Sequence, residues 1–247
     1  MKCTTPKGRI YELFKDMVKQ NHLLVAGKTG SGKSVIVNGM ITTLLYRFPH
    51  EAGLILIDPK RVELSPYKNL PHTIKYASEP EEMVKALQLA MNICNERYKE
   101  MEKRGERLYH GGDVYVFIDE WADLMTTNRR TVAPIVQRLA QIGRASKVHV
   151  ILCTQTPIAK VIPTEIKCNF DSRVGLRTRS AQDSRNILGY TGLENLPAYG
   201  QGIYMTPKED TLYYIPYVDE VEQKRLISWW LRQIPPKKKS LLEKMFG

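Results

Sequence analysis

The chain has 247 residues, 43% of them apolar, enough for one large α/β domain or two small ones around a sizeable core. Its formal net charge of +11 fits either simple solubility or a polyanion partner. Composition argues against several classes: no run of about 18 apolar residues is available to span a membrane, Met1 to Arg9 lacks a signal pattern, and Cys3, Cys94, Cys153 and Cys168 are scattered without a C-x-x-C pair, which speaks against a disulfide framework or zinc site and fits a reducing cytosol.

In chain order, Ile10 to Lys19 reads as a helix, with Leu13, Phe14, Met17 and Val18 on one face, packing beside the core or on a neighbouring subunit. The apolar run Leu23 to Ala26 leads into Gly27-Lys28-Thr29-Gly30-Ser31-Gly32-Lys33-Ser34, and an amphipathic run follows to Arg47. Strand, G-x-x-x-x-G-K-S loop and helix together make a phosphate-binding loop. Its glycines permit the tight turn, its N–H groups and the positive end of the helix face an anion, Lys33 reaches the β- and γ-phosphates, and Ser34 ligates Mg²⁺. Gly53 to Lys60 reads as a buried strand ended by Pro59, with Asp58 at its exit either orienting a magnesium water or capping the loop.

Ser78-Glu79-Pro80-Glu81 is a capping box opening a long helix to about Arg104. After a loop over Gly105 to Gly112, Val114 to Ile118 is a continuous apolar run ending in Asp119-Glu120, the pattern of a central parallel strand with acids at its carboxyl end. Asp119 is expected to hold Mg²⁺ through water and Glu120 to act as general base on the attacking water, a pairing that points to a hydrolase rather than a phosphotransferase. Thr126 or Thr131 caps the next helix. Val148 to Cys153 is a strand delivering Thr154-Gln155, with Gln155 placed to sense the γ-phosphate or the water. A strand at Arg173 to Leu176, a short helix opened by Ser180, a hairpin of Gly202 to Met205 with Thr211 to Ile215, and a closing helix from Asp219 to Gln233 complete the elements. Pro235-Pro236 and the Lys237-Lys238-Lys239 tail follow.

From about His22 to Met205 the sequence resembles the motor domain of the FtsK/SpoIIIE family of DNA translocases. The resemblance rests on His22 to Gly27 running into the phosphate loop, Ile57-Asp58-Pro59-Lys60, Val116 to Met125, Arg138-Leu139-Ala140-Gln141, Gly143-Arg144-Ala145, Thr154-Gln155 and Asp183 to Leu188, in that order. It implies a RecA-like P-loop NTPase, an α/β fold with a mainly parallel sheet and helices on both faces. ATP and Mg²⁺ would be the cofactors, and a homo-oligomeric, usually hexameric ring would enclose double-stranded DNA. It also implies that Arg144 acts in trans, completing a neighbour's site. The motor is assigned to residues 22–218, with a lead-in at 1–21 and a closing helix and basic tail at 219–247.

The sequence also departs from the family. The segment between phosphate loop and acids is shorter than in chromosome-segregation members. No membrane segments precede the motor and no winged-helix domain follows, so sequence-directed orientation on chromosomal DNA is not expected. Thr156 stands where the family commonly has an arginine near DNA, which leaves Lys160 and Lys167, then Arg129 and Arg130, as DNA-contact candidates. The compact form is similar to motors of conjugative and other mobile elements, expected in the cytoplasm, with any membrane or relaxosome-type partner supplied by other proteins. Two alternatives remain: an ATPase of type VII protein secretion, and a DNA- and ATP-binding module without hydrolysis.

Overall fold

The structure is a computed structural model that describes residues 8–215 and 220–233. Asp219, Pro235-Pro236 and the Lys237–Lys239 run lie outside the described residues. Eight strands form one sheet: β1 (His22–Ala26), β2 (Ala52–Ile57), β3 (Thr73–Ala77), β4 (Asp113–Ile118), β5 (Val148–Thr154), β6 (Ser172–Leu176), β7 (Gln201–Met205) and β8 (Asp210–Tyr214). Their order is β3-β2-β4-β5-β1-β6-β7-β8. The first six in that order pair in parallel, and β7 and β8 add an antiparallel hairpin at one edge.

Alternation along the strands sorts side chains onto two faces. Leu23, Val25, Leu54, Leu56 and Phe117 share one core with α1 (Gly8–Val18), α2 (Lys33–Arg47) and α8 (Glu220–Gln233). Leu24, Ile55, Ile57, Val116 and Val150 share the other with α3 (Pro80–Arg104), α4 (Trp121–Thr127) and α5 (Arg129–Ser146). The amphipathic face of α1 therefore packs on this chain's own core, through Leu13, Phe14, Met17 and Val18. Two shorter helices, α6 (Thr164–Lys167) and α7 (Ala181–Leu188), flank β6, and Ser180 caps α7 as its sequence suggests, accepting from Asp183 N at 3.1 Å.

Three local expectations need correcting. Ser78 does not cap α3: Pro80 takes the first helical position, which its fixed φ and missing N–H suit, so Glu79 becomes the cap without a side-chain bond. Neither Thr126 nor Thr131 caps a helix. The run after Glu120 breaks at Asn128 into α4 and α5, and Thr126 Oγ1 instead donates back to Ala122 O within α4. Strand β3 at the sheet edge and the single-turn α6 were not anticipated from sequence.

The N-terminal edge of the sheet is held by buried polar groups. Arg97 of α3, 2% exposed, donates to Ser146 O at 2.7 Å, Lys147 O at 3.0 Å and Gly112 O at 2.8 Å, with its guanidinium over the Tyr109 ring. The first two carbonyls end α5, where Lys147 turns left-handed at φ 54°, and the third precedes β4. Arg97→Ala strands all three carbonyls and opens a cavity, so it should cost about 3 kcal/mol or more in a denaturant titration, with Arg97→Lys recovering only part because an ammonium cannot fork. A loss under about 1 kcal/mol would show that the fork contributes little.

His22 sits at the same edge. Val150 N donates to its Nδ1 at 3.1 Å, so the ring is a neutral acceptor there. Burial, with His149 beside it, pushes the His22 pKa down to about 3 from 6.5. Because the folded value lies below the unfolded one, the unfolded chain binds a proton that the fold refuses. Stability is thus lost as pH falls below 6.5, by about 1.4 kcal/mol per unit until about pH 3. Between pH 7 and 5 the wild type should lose about 2 kcal/mol more than His22→Asn, whose amide oxygen keeps the Val150 bond. Equal losses would remove His22 as the cause.

Candidate active site

The phosphate loop, Asp119-Glu120 and Gln155 gather where β4, β5 and β1 end side by side. The Gly27–Ser34 loop leaves β1 between β5 and β6 and is tied to both, Gly27 N donating to Thr154 O at 3.3 Å and Lys28 N to Arg177 O at 2.8 Å. A Cβ on Gly27 would fall 2.6 Å from Leu176 Cβ and 2.7 Å from Ser31 Oγ, so no side chain fits. Gly32, at φ 104°, turns the chain into α2, whose first N–H groups need an outside acceptor. Thr29 and Gly30 lie exposed at the loop tip.

Register fixes the acids. Ile118 of β4 is level with Leu152 of β5, which brings Asp119-Glu120 against Thr154-Gln155. Lys33, 5% exposed, donates through Nζ to Asp119 O at 2.9 Å and pairs with Asp119 Oδ1. Burial alone would lower the Lys33 pKa, but Cys153, Asp119 and Glu120 around it outweigh burial and raise it. Lys33 therefore stays a cation. Asp119 Oδ2 and Ser31 Oγ are buried without a protein partner. Such unpaired oxygens beside an anion-binding loop fit a hydrated divalent cation and a phosphate. Among the described residues no group of three His, Cys, Asp or Glu could hold a metal alone. Mg²⁺ would be held by Ser34 and, through water, by Asp119, with phosphate oxygens completing its shell.

Glu120, 3% exposed, is the N-cap of α4. Its Oε1 accepts from Thr154 Oγ1 at 2.8 Å, and both carboxylate oxygens lie 3.2 Å from Gln155 N. Gln155 reaches the other way, its Oε1 accepting from Thr29 Oγ1 at 2.7 Å. One amide residue thus joins the Glu120 carboxylate to the phosphate loop. Thr154 and Lys60 belong to this constellation although sequence reading gave neither a role. Lys60 Nζ lies 3.6 Å from Glu120 Oε2, a closeness that depends on β2 and β4 being neighbours in the sheet. Asp58, fully buried, caps its loop by accepting from Leu64 N at 3.0 Å through Oδ2, while its Oδ1 is buried without a protein partner, so both of its candidate tasks stay open.

The remaining candidates lie elsewhere. Arg144 is exposed on the last turn of α5, next to the start of β5, and so at the N-terminal edge of the sheet. The seven residues of β5, about 20 Å, separate it from its own phosphate loop. There it lines a cavity of about 360 Å³ with Gln20, Gln141, Asn169 and Asp171. Arg129 Nη1 donates to Lys160 O at 3.1 Å, which brings Arg129, Arg130 and Lys160 to one exposed corner. Lys167 ends α6, just before Cys168, which lines the Arg144 cavity.

A phosphate loop between parallel strands, with an acid pair on the strand two places away, defines the P-loop ATPase fold. Solved structures agree: the pCW3 conjugation coupling protein TcpA with ATPγS matches at TM-score 0.73 and 25% identity, over 87% of this chain and 66% of that one. The cytoplasmic domain of the type VII secretion ATPase EccC of Thermomonospora curvata shares the fold at TM-score 0.72 and 22% identity, over 85% of this chain and 28% of that one. The chain belongs to the FtsK/SpoIIIE family, whose pattern matches residues 6–113 and 111–159. It is 36% identical to the DNA translocase FtsK of Rhizobium meliloti, over 90% of this chain and 30% of that protein. Against the DNA translocase FtsK of Rickettsia prowazekii it is 35% identical, over 85% of this chain and 34% of that protein. The chain thus spans about a third of the curated relatives it matches.

Proposed function

We propose that this chain is an ATP-driven motor on double-stranded DNA, hydrolysing ATP at the interfaces of a homo-oligomeric ring. The observation that carries the hydrolytic half is Glu120, a carboxylate fixed by Thr154 and Gln155 beside the phosphate loop. In this reading Lys33 exchanges Asp119 for the incoming β- and γ-phosphates, and Glu120 takes the proton of the attacking water. Gln155 reports the filled loop to Glu120 through Thr29. Bound Mg²⁺ would offset charge on the phosphate oxygens.

The ring is supported by Arg144, which lies about 20 Å along β5 from its own phosphate loop and is free to serve a neighbour's. DNA as substrate is supported by the relatives' name, by the charge of +11 and by the exposed corner of Arg129, Arg130 and Lys160. Identity of 36% to a relative named as a DNA translocase supports DNA over polypeptide. The test is displacement of a third strand from a triplex on linear double-stranded DNA. ATP-dependent displacement, absent with a non-hydrolysable analogue, is expected; equal displacement without ATP would refute translocation.

A further inference from the structure

The two oxygens of the Glu120 carboxylate are not equivalent. Oε1 is committed to the scaffold, taking bonds from Thr154 Oγ1 at 2.8 Å, Gln155 N at 3.2 Å and Ala122 N at 3.4 Å. Oε2 shares Gln155 N at 3.2 Å and otherwise faces Lys60 Nζ at 3.6 Å. That separation is an ion pair too long for a good hydrogen bond, so the pair is held by charge rather than by fixed geometry. Lys60 is 44% exposed and Glu120 only 4%, so the lysine stands over the carboxylate from the open side.

The fold gives Lys60 this place by construction. Ile57 is in register with Ile118, and Asp119 N donates to Ile57 O at 3.0 Å. The loop after β2 is then turned by Asp58, which accepts from Leu64 N through its side chain and from Arg61 N through its carbonyl at 3.2 Å. Arg61 sits at φ 58° and pairs with Glu79. Two buried or strained features thus hold a loop whose product is one lysine beside the base.

We propose that Lys60 is a mobile counter-ion of the hydrolysis site. It pairs with Glu120 Oε2 before nucleotide arrives, then passes its ammonium to the γ-phosphate and frees Oε2 for the attacking water. This rests on the ATPase reading above and names a residue that reading does not use. The physical need is plain: a γ-phosphate brought towards Glu120 sets like charges together, and a cation between them offsets both. Lysine, a compact charge on a flexible stem, suits such an exchange. Glu120 keeps its place meanwhile, because Thr154 and the Gln155 N–H still hold it. In the step served, the water's proton goes to Oε2, its oxygen bonds to γ-phosphorus, and the bond to the ADP oxygen breaks.

The experiment is a double-mutant cycle on phosphate release, with Lys60→Ala, Lys60→Arg, Glu120→Gln and the Lys60→Ala/Glu120→Gln pair, together with ATP affinity and thermal midpoint. Lys60→Ala should lower kcat by about 10- to 100-fold with little change in KM or midpoint, and Lys60→Arg should recover most of it. Adding Lys60→Ala to Glu120→Gln should cost less than Lys60→Ala alone, since the part of its effect that runs through the base is already lost and only its charge on the γ-phosphate remains. Lys60→Ala at the wild-type rate, a loss confined to KM, or losses that multiply in the pair would each overturn the inference. A wild type that releases no phosphate would overturn the ATPase reading and this inference with it, whereas an active wild type indifferent to Lys60 overturns this inference alone.

Discussion

Arg144→Ala should lower ATP turnover by about 10³-fold or more, the range for an arginine that stabilises transferred phosphoryl charge. The same variant should keep its own nucleotide pocket, since Lys33, Asp119 and Glu120 are at the other edge of the sheet. That separation makes the decisive form of the experiment a mixture. Arg144→Ala subunits retain a good pocket, and Lys33→Ala subunits retain a good arginine. Combined, some interfaces hold both, and activity should return in an amount set by the mixing ratio. The readout is hydrolysis without DNA, where demands for coordination around a ring are weakest. Arg144→Ala at the unmodified rate would remove the residue from the mechanism.

Glu120→Gln should lower turnover by about 10²-fold or more while leaving ATP and Mg²⁺ binding near wild type. The substitution keeps the shape and the Thr154 and Gln155 contacts to an oxygen but removes the proton acceptor. Phosphate release measured beside nucleotide affinity separates the two effects. A fall of less than about tenfold would mean that another group activates the water.

Much of the site was legible because its residues are contiguous. The phosphate loop, the acids ending β4 and the amide ending β5 each announce themselves by an apolar strand running into polar residues, and the parallel order brings those ends together. Lys60 was not assigned, although its motif was visible, because its partner lies across a strand pairing that spacing does not reveal. The same holds for Arg97, which reads as one more charge on a long amphipathic helix and is instead buried over carbonyls from two distant segments. Edge strand β3 escaped notice because Thr73 to Lys75 and Tyr76 are only half-buried, so no apolar run marks it. The stretch after Glu120 reads as a loop carrying Arg129 and Arg130, but it is the helix α4 followed at once by α5, which Arg129 opens; with only Trp121, Leu124 and Met125 buried, α4 is too short to show a helical period, and backbone bonds from Asn128 and Thr131, not a side-chain cap, make the turn between the two.

The most direct test of the account is the rate of phosphate release by the wild type with and without double-stranded DNA at about 50 and 200 mM salt, a range over which phosphate contacts weaken steeply. The account predicts that DNA raises the rate several-fold at low salt, with less DNA needed there than at high salt. A rate unchanged by DNA at both salt concentrations would contradict it.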